Sequence, residues 1–172
     1  MAREGRKNVI SKRFKEKYHF VNAIAIGDGS LFPLNQKPET EDFSDYHGRE
    51  RGYLLTCMII NHDEKRLRHY LTGFPGSCHD KRVYRNTHLF RNSEKYFGTK
   101  YYFLFDSAVA NSSTVVSSYK CSSRHTLTRG QEKFKTLLGK PRVLAEHIIG
   151  MLKGRFQFLD VFPKKLLRRH PH

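Results

Sequence analysis

Four carboxylates stand out for the company they keep: Asp28, Asp80, Asp106 and Glu146. Asp28 closes the apolar run VNAIAIGD and Asp106 closes KYYFLFD. An acid at the exit of a buried strand is costly unless it is paired, hydrogen-bonded or bound to metal. Asp80 follows the Pro/Gly corner GFPGSCH and precedes a helical pattern carrying Val83, Tyr84 and Leu89. In the segment PRVLAEHIIGMLKG, a turn of about 100° per residue puts Arg142, Glu146, Gly150 and Lys153 on one stripe, so the acid is bracketed by two cations. Carboxylates gathered within a few ångströms repel and raise one another's pKa unless divalent cations neutralise them. Mg²⁺ suits such an oxygen cage, and two ions in it support in-line displacement at phosphorus.

Each acid also has a plainer account. Asp28-Gly29 is a common hairpin turn, here between Ile24 and Leu31. Asp80 suits the positive end of a helix dipole. Arg142 and Glu146 have the spacing of a surface ion pair. Cys78 beside His79 resembles half a metal site or a Cys/His pair, but adjacent side chains rarely converge on one atom.

Composition narrows the choice. The chain has 172 residues, 38% of them hydrophobic and 13% aromatic, which suits one globular domain with a real core. Its formal charge of +16, from 32 Lys and Arg against 16 Asp and Glu, favours a polyanionic partner, and nucleic acid is the first expectation. A ribosomal-type basic protein would share that charge but leaves unexplained the acids ending two apolar strands. The three cysteines, Cys57, Cys78 and Cys121, are odd in number and far apart, which points away from a disulfide framework and towards a reducing compartment. No run is long enough to span a membrane and the N-terminus lacks a secretory apolar core, so a soluble intracellular protein is expected.

The elements that must position the acids follow in order. Residues 1 to 18 form a short helix or basic arm whose charges face solvent or phosphate. Val21 to Asp28 is a strand, with Leu31 to Leu34 returning beside it, and residues 35 to 49 are a solvated loop. Gly52 to Asn61 and Leu67 to Phe74 form a hairpin around NHDEKR, where Asp63 and Glu64 occupy the turn. After the helix that Asp80 opens comes the strand Lys100 to Asp106, then a Ser-rich irregular segment over 107 to 128. Thr128 and Gln131 form a capping box for a helix that Gly139 stops, and Pro141 opens a separate last helix. Strand with acid, hairpin, helix entrance with acid, strand with acid and helix with acid is the order of an RNase H-like α/β fold: a mixed sheet flanked by helices, the acids converging at one edge.

Four blocks then resemble one family. GDGS at 27 to 30, GFPGSCHDKRVY at 73 to 84, FDSA at 105 to 108 and RVLAEHIIGMLKGRF at 142 to 156 are similar, in order and with each acid intact, to the blocks of PIF/Harbinger-type transposase-derived nucleases of the DDE superfamily. The likeness runs from about Tyr18 to Leu159. It departs at Phe105, where glycine usually precedes the third acid, at Ala108 and Val109, which replace Gly-Tyr, and at His147, where Arg is common.

The resemblance implies a divalent-metal-dependent DNA endonuclease or strand transferase using Mg²⁺ or Mn²⁺. Asp28, Asp106 and Glu146 would be catalytic metal ligands, with Asp80 as a fourth acid that holds a second metal or orients His79. Lys81, Arg82, Arg142, Lys153 and Arg155 would hold DNA phosphates. Further partners are a separate Myb-like protein supplying DNA binding and nuclear import, hence a nuclear location, and further copies of the chain in a homo-oligomer. The expected division is a basic arm at 1 to 18, a nuclease domain at 19 to 160 and a basic tail at 161 to 172. Relatives carry a longer helix-turn-helix-like N-terminal region, so the chain is read as a fragment or truncated element. The alternative is a DNA-binding protein that keeps the fold and metal site but has lost the chemistry.

Overall fold

The computed structural model describes residues 4–47, 52–120 and 126–156. Helix α1 (Glu4–Tyr18) leads into strand β1 (Ala23–Leu34), and β2 (Tyr53–Asn61) and β3 (Leu67–Pro75) follow as a hairpin. Three short helices come next, α2 (Asp80–Arg85), α3 (His88–Arg91) and α4 (Ser93–Phe97). Strands β4 (Tyr102–Phe105) and β5 (Val115–Ser117) precede the long helix α5 (Arg129–Arg155). The sheet order is β3-β2-β1-β4-β5. β1 is antiparallel to β2 and β2 to β3, whereas β4 runs parallel to β1 and β5 parallel to β4. This mixed sheet flanked by helices is the expected RNase H-like α/β arrangement.

Side chains alternate across the sheet, and that alternation sorts the core. Gly27 and Phe105 share one face, where Tyr84 of α2 packs its ring 5.4 Å from Phe103 and 5.1 Å from Phe105. Ile24, Ile26, Asp28, Phe32 and Leu34 point to the other face. There Phe32 and Leu34 of β1 join Leu55, Cys57 and Ile59 of β2 beneath Ile149 of α5, with Leu152 packed against them.

Three local expectations are corrected. Asp28-Gly29 is not a hairpin turn: β1 continues through it, with Asp28 opposite Ile59 and the register unbroken to Leu34 opposite Tyr53. The long partner β2 supplies a ladder on both sides of the acid, which overrides the turn propensity of the dipeptide. Gly139 and Pro141 do not divide two helices either, because α5 passes through both. Its apolar stripe, Phe134, Leu137 and Leu138 followed by Leu144, Ala145, Ile148 and Ile149, keeps helical spacing across the junction, and Pro141 is itself buried. That burial offsets the hydrogen bond a mid-helix proline forfeits. The capping box of Thr128 and Gln131 is present as expected.

The Ser-rich segment also holds β5, whose Val115 to Ser117 pair with Phe103 to Phe105. Asn111 fixes this short strand by accepting hydrogen bonds from the Ser117 amide at 2.6 Å and hydroxyl at 2.9 Å.

The first helix packs against the core, with Ile10 and Phe14 fully buried. Arg13 on it holds Asp63 bidentately, Nε to Oδ2 at 2.7 Å and Nη2 to Oδ1 at 3.0 Å. Asp63 does occupy the β2–β3 turn, but as a buried counter-ion rather than a solvated turn acid. The expected tail at 161 to 172, and Cys121 within 121–125, lie outside the described residues. No helix among the described residues is long and apolar enough to cross a membrane.

Candidate active site

The parallel pairing of β1 and β4 sets the site. Ile26 lies opposite Leu104, so Asp28 and Asp106 each follow two residues beyond a matched pair, on the same face of the sheet. Asp28 is half-buried, and its Oδ1 accepts the Gly29 amide at 3.1 Å. Asp106, just past the end of β4, has Oδ1 accepting from the Ala108 amide at 2.7 Å, an Asx-type turn that aims the carboxylate back over the strand end.

Asp80 approaches from the opposite face. It opens α2 after His79, which has extended backbone and gives no side-chain cap. Its carboxylate lies against Gly29 so closely that any Cβ there would overlap it. Gly27 and Gly29 are thus both close-approach positions. Phe105, the departure from the glycine usual before the third acid, has its ring over Gly27.

Glu146 reaches the site from α5. It is exposed and pairs loosely with Arg142, Nη2 to Oε1 at 3.8 Å. The expected surface ion pair therefore exists, and the same two residues also face the acids. The Asp28 carboxyl is pushed up to about 6, chiefly by burial and further by Asp106, Asp80 and Glu146, with Arg142 acting in the opposite sense. Asp80 is raised by burial and by Asp106, against the nearby His79. All four acids and one guanidinium thus act on a single locus. The Nε of Arg142 is buried there without a hydrogen-bond partner.

The remaining cations are less concentrated. Lys81 and Arg82 are exposed on α2, and Arg155 is exposed at the last turn of α5. Lys153 is engaged within the fold: its Nζ donates to the Leu31 carbonyl at 2.9 Å and sits 4.9 Å from the centre of the Phe32 ring.

In its chemistry this set fits a hard divalent cation. All four donors are carboxylates, and their crowding is what Mg²⁺ or Mn²⁺ relieves. Among the described residues no three acid, imidazole or thiol side chains already converge into a cage. Asp28, Asp106 and Glu146 turn instead to Gly29, Ala108 and Arg142.

Two groups escaped the sequence reading. Arg13 and Asp63 are 50 residues apart, and nothing local marks them as a pair. His62, His69 and His88 meet at one recess, yet each is an isolated histidine in the sequence.

No curated protein and no solved structure matches the chain. One family model does, that of the DDE superfamily endonucleases, over residues 27–172, a span that begins one residue before Asp28 and takes in Asp80, Asp106 and Glu146. An RNase H-like sheet with four acids acting on one locus agrees with that match, and the chain belongs to the DDE superfamily endonucleases.

Proposed function

We propose that this chain is the catalytic domain of a divalent-metal-dependent DNA nuclease or strand transferase of PIF/Harbinger type. The observation that carries the reading is Asp28: a half-buried strand carboxyl whose charge is opposed by Asp106, Asp80 and Glu146 together. A carboxyl raised by burial together with neighbouring like charges is the kind of perturbed group that clusters at functional sites. Asp28, Asp106 and Glu146 would hold Mg²⁺ or Mn²⁺, with Asp80 as the fourth acid. When bound, a pair of such ions activates the attacking water or 3′-hydroxyl and stabilises the leaving oxygen.

The chain's own residues supply the rest. Asp28 must shed its proton to serve as a ligand, so metal affinity rises as pH passes about 6. Glu146 must turn from Arg142, which leaves that guanidinium for a phosphate. Arg142, Lys81, Arg82, Lys153 and Arg155 would then track the DNA backbone, an interaction that salt weakens. The division into arm, domain and tail, a Myb-like partner, a nuclear location and homo-oligomerisation belong to this same reading.

The test is calorimetric titration of Mg²⁺ or Mn²⁺ into wild type and Asp28→Ala, run beside nicking of supercoiled plasmid. Binding that is lost in Asp28→Ala, with nicking by wild type only, supports the reading. Metal binding that survives the substitution overturns the site. A second reading, a DNA-binding protein without turnover, is favoured by the Arg142–Glu146 pair, which keeps one expected ligand on an internal cation. Metal binding without nicking selects it.

A further inference from the structure

On the face of the sheet opposite Asp28, beneath α3 and α4, lies a recess of about 80 Å³ lined by His62, Arg68, His69, His88 and Tyr96 over a floor that includes Ile60. A recess of that size holds more than a single water and has room for a tetrahedral oxyanion. It draws on β1 at Ala25, on β2, β3, α3 and α4, and none of its residues is one of the four acids.

The hydrogen bonding specifies what fits. His62 is buried, and its Nδ1 stands 2.6 Å from the Ile24 carbonyl, so Nδ1 carries the proton and donates. Burial pushes this imidazole down to about 4, so near neutral pH its Nε2 is left as a lone-pair acceptor. His69 has a buried Nε2 with no partner. His88 shares a 3.0 Å hydrogen bond between its Nδ1 and the Tyr96 hydroxyl, leaving its own Nε2 for a ligand. Arg68 adds a guanidinium whose charge is disfavoured by burial and by Arg6 and Arg66. Glu64, the acid that opposes this, is already shared between Arg13 and Arg66.

Two ligand classes compete for such a lining. A cation is opposed by the three arginines, and among the described residues no three histidine, cysteine or acid side chains are arranged to hold a metal. An anion answers the arginines, and the His62 acceptor asks further that it carry a proton of its own. Hydrogen phosphate has both acceptor oxygens and a P–OH donor at neutral pH; the terminal phosphomonoester of a nucleic acid strand, with a second pKa of about 6, has that donor in its monoanion, and an internal phosphodiester lacks it.

We infer that this recess is a binding site for one protonated phosphate group, held by Arg68 and the free imidazole nitrogens of His62, His69 and His88. The site does not depend on metal or on the acids, so it stands or falls apart from the proposed nuclease chemistry. Its ligand comes either from free phosphate or from the phosphorylated end of a DNA strand, and the test separates the two.

The experiment follows the imidazole ¹⁵N resonances of the full chain during titration with inorganic phosphate at constant ionic strength in chloride. Saturable shifts at His62 and His69 are expected. Sulfate, which has no proton at neutral pH, should bind about tenfold more weakly, and Arg68→Met should weaken phosphate by about the same factor, the cost of one charge-assisted hydrogen bond. Arg68 is exposed, so the variant should keep its fold, and Tyr96→Phe serves as a second variant that frees the His88 ring. A duplex bearing a 5′-phosphate that reproduces the shifts, where the 5′-hydroxyl duplex does not, assigns the site to a strand end. Shifts from inorganic phosphate alone assign it to the free anion. Absence of saturable shifts, equal binding of sulfate, indifference to Arg68→Met, or stronger shifts with Zn²⁺ than with phosphate overturns the inference.

Discussion

Gly29 lies so close to the Asp80 carboxylate that a methyl group on its α-carbon would coincide with the acid's oxygens. One residue beyond Asp28, the main chain is thus bare so that an acid from the other face can reach the sheet edge. Gly29→Ala should fold, because a half-buried side-chain end can swing aside, but Asp80 would be displaced. We expect Mg²⁺ affinity to fall by about tenfold or more, as when a supporting group around a metal is moved, and nicking to fall with it. Calorimetry beside a plasmid assay reads both. Unchanged affinity would detach Asp80 from the site.

Gly27 makes the contrasting case. A Cβ there would enter the ring of Phe105, which is 1% exposed and packed against Tyr84 and Phe103. Nothing in that layer can swing into solvent. Gly27→Ala should therefore cost about 1–3 kcal/mol of stability by overpacking, seen as a lower urea midpoint, whereas the Gly29 variant loses function first.

Asp28 and His62 oppose each other in their dependence on pH. Asp28 is raised from 3.8 to about 6, so the fold holds a proton that the unfolded chain releases, and stability falls as pH climbs through that window. His62 is lowered from 6.5 to about 4, so the unfolded chain takes a proton that the fold refuses, and stability falls as pH drops through nearly the same window. The two slopes largely cancel in wild type. Asp28→Asn removes the first, and in the absence of divalent ions it should be about 2 kcal/mol more stable than wild type at neutral pH. Its stability should also climb between about pH 4 and 6.5, where wild type is nearly flat. Urea unfolding at several pH values checks the sign. A variant less stable than wild type at neutral pH would refute the raised Asp28 carboxyl, whose chief cause is burial.

Arg13 and Asp63 join α1 to the far hairpin. The Asp63 side chain is fully buried, and Lys17 assists from 3.4 Å. Arg13→Ala leaves a buried carboxylate with one weak partner and should cost about 3 kcal/mol. Arg13→Met combined with Asp63→Leu should cost clearly less, because no charge is stranded. Chemical denaturation of the set measures this, and equal losses in both would mean that the helix rests on Ile10 and Phe14 alone.

Much of this arrangement was legible in the sequence because it is written locally. Apolar runs ending in Asp28 and Asp106, a Pro/Gly corner before Asp80 and a helical stripe carrying Glu146 are each contained in a dozen residues. The errors came where a distant partner decided. Asp28-Gly29 has the composition of a turn, and only β2 running alongside keeps it extended. Gly139 and Pro141 are breakers by propensity, but the core beneath α5 needs the stripe to continue. Strand β5, with three residues, offers no alternation to read, and Asn111 that fixes it looks like any other loop residue. The recess histidines converge from separate elements, a relation that spacing does not encode.

β1 is far longer than β4, so beyond Gly27 its β4 side borders no strand among the described residues. Such an open border is where a second chain can add a strand and begin aggregation, and a lysine placed on it is a common deterrent. The Lys153 ammonium, bound to the Leu31 carbonyl, occupies that border. Any substrate that draws Lys153 towards its own phosphates would unguard the strand, so the protein should be most prone to self-association while engaged with short nucleic acid and least prone when free.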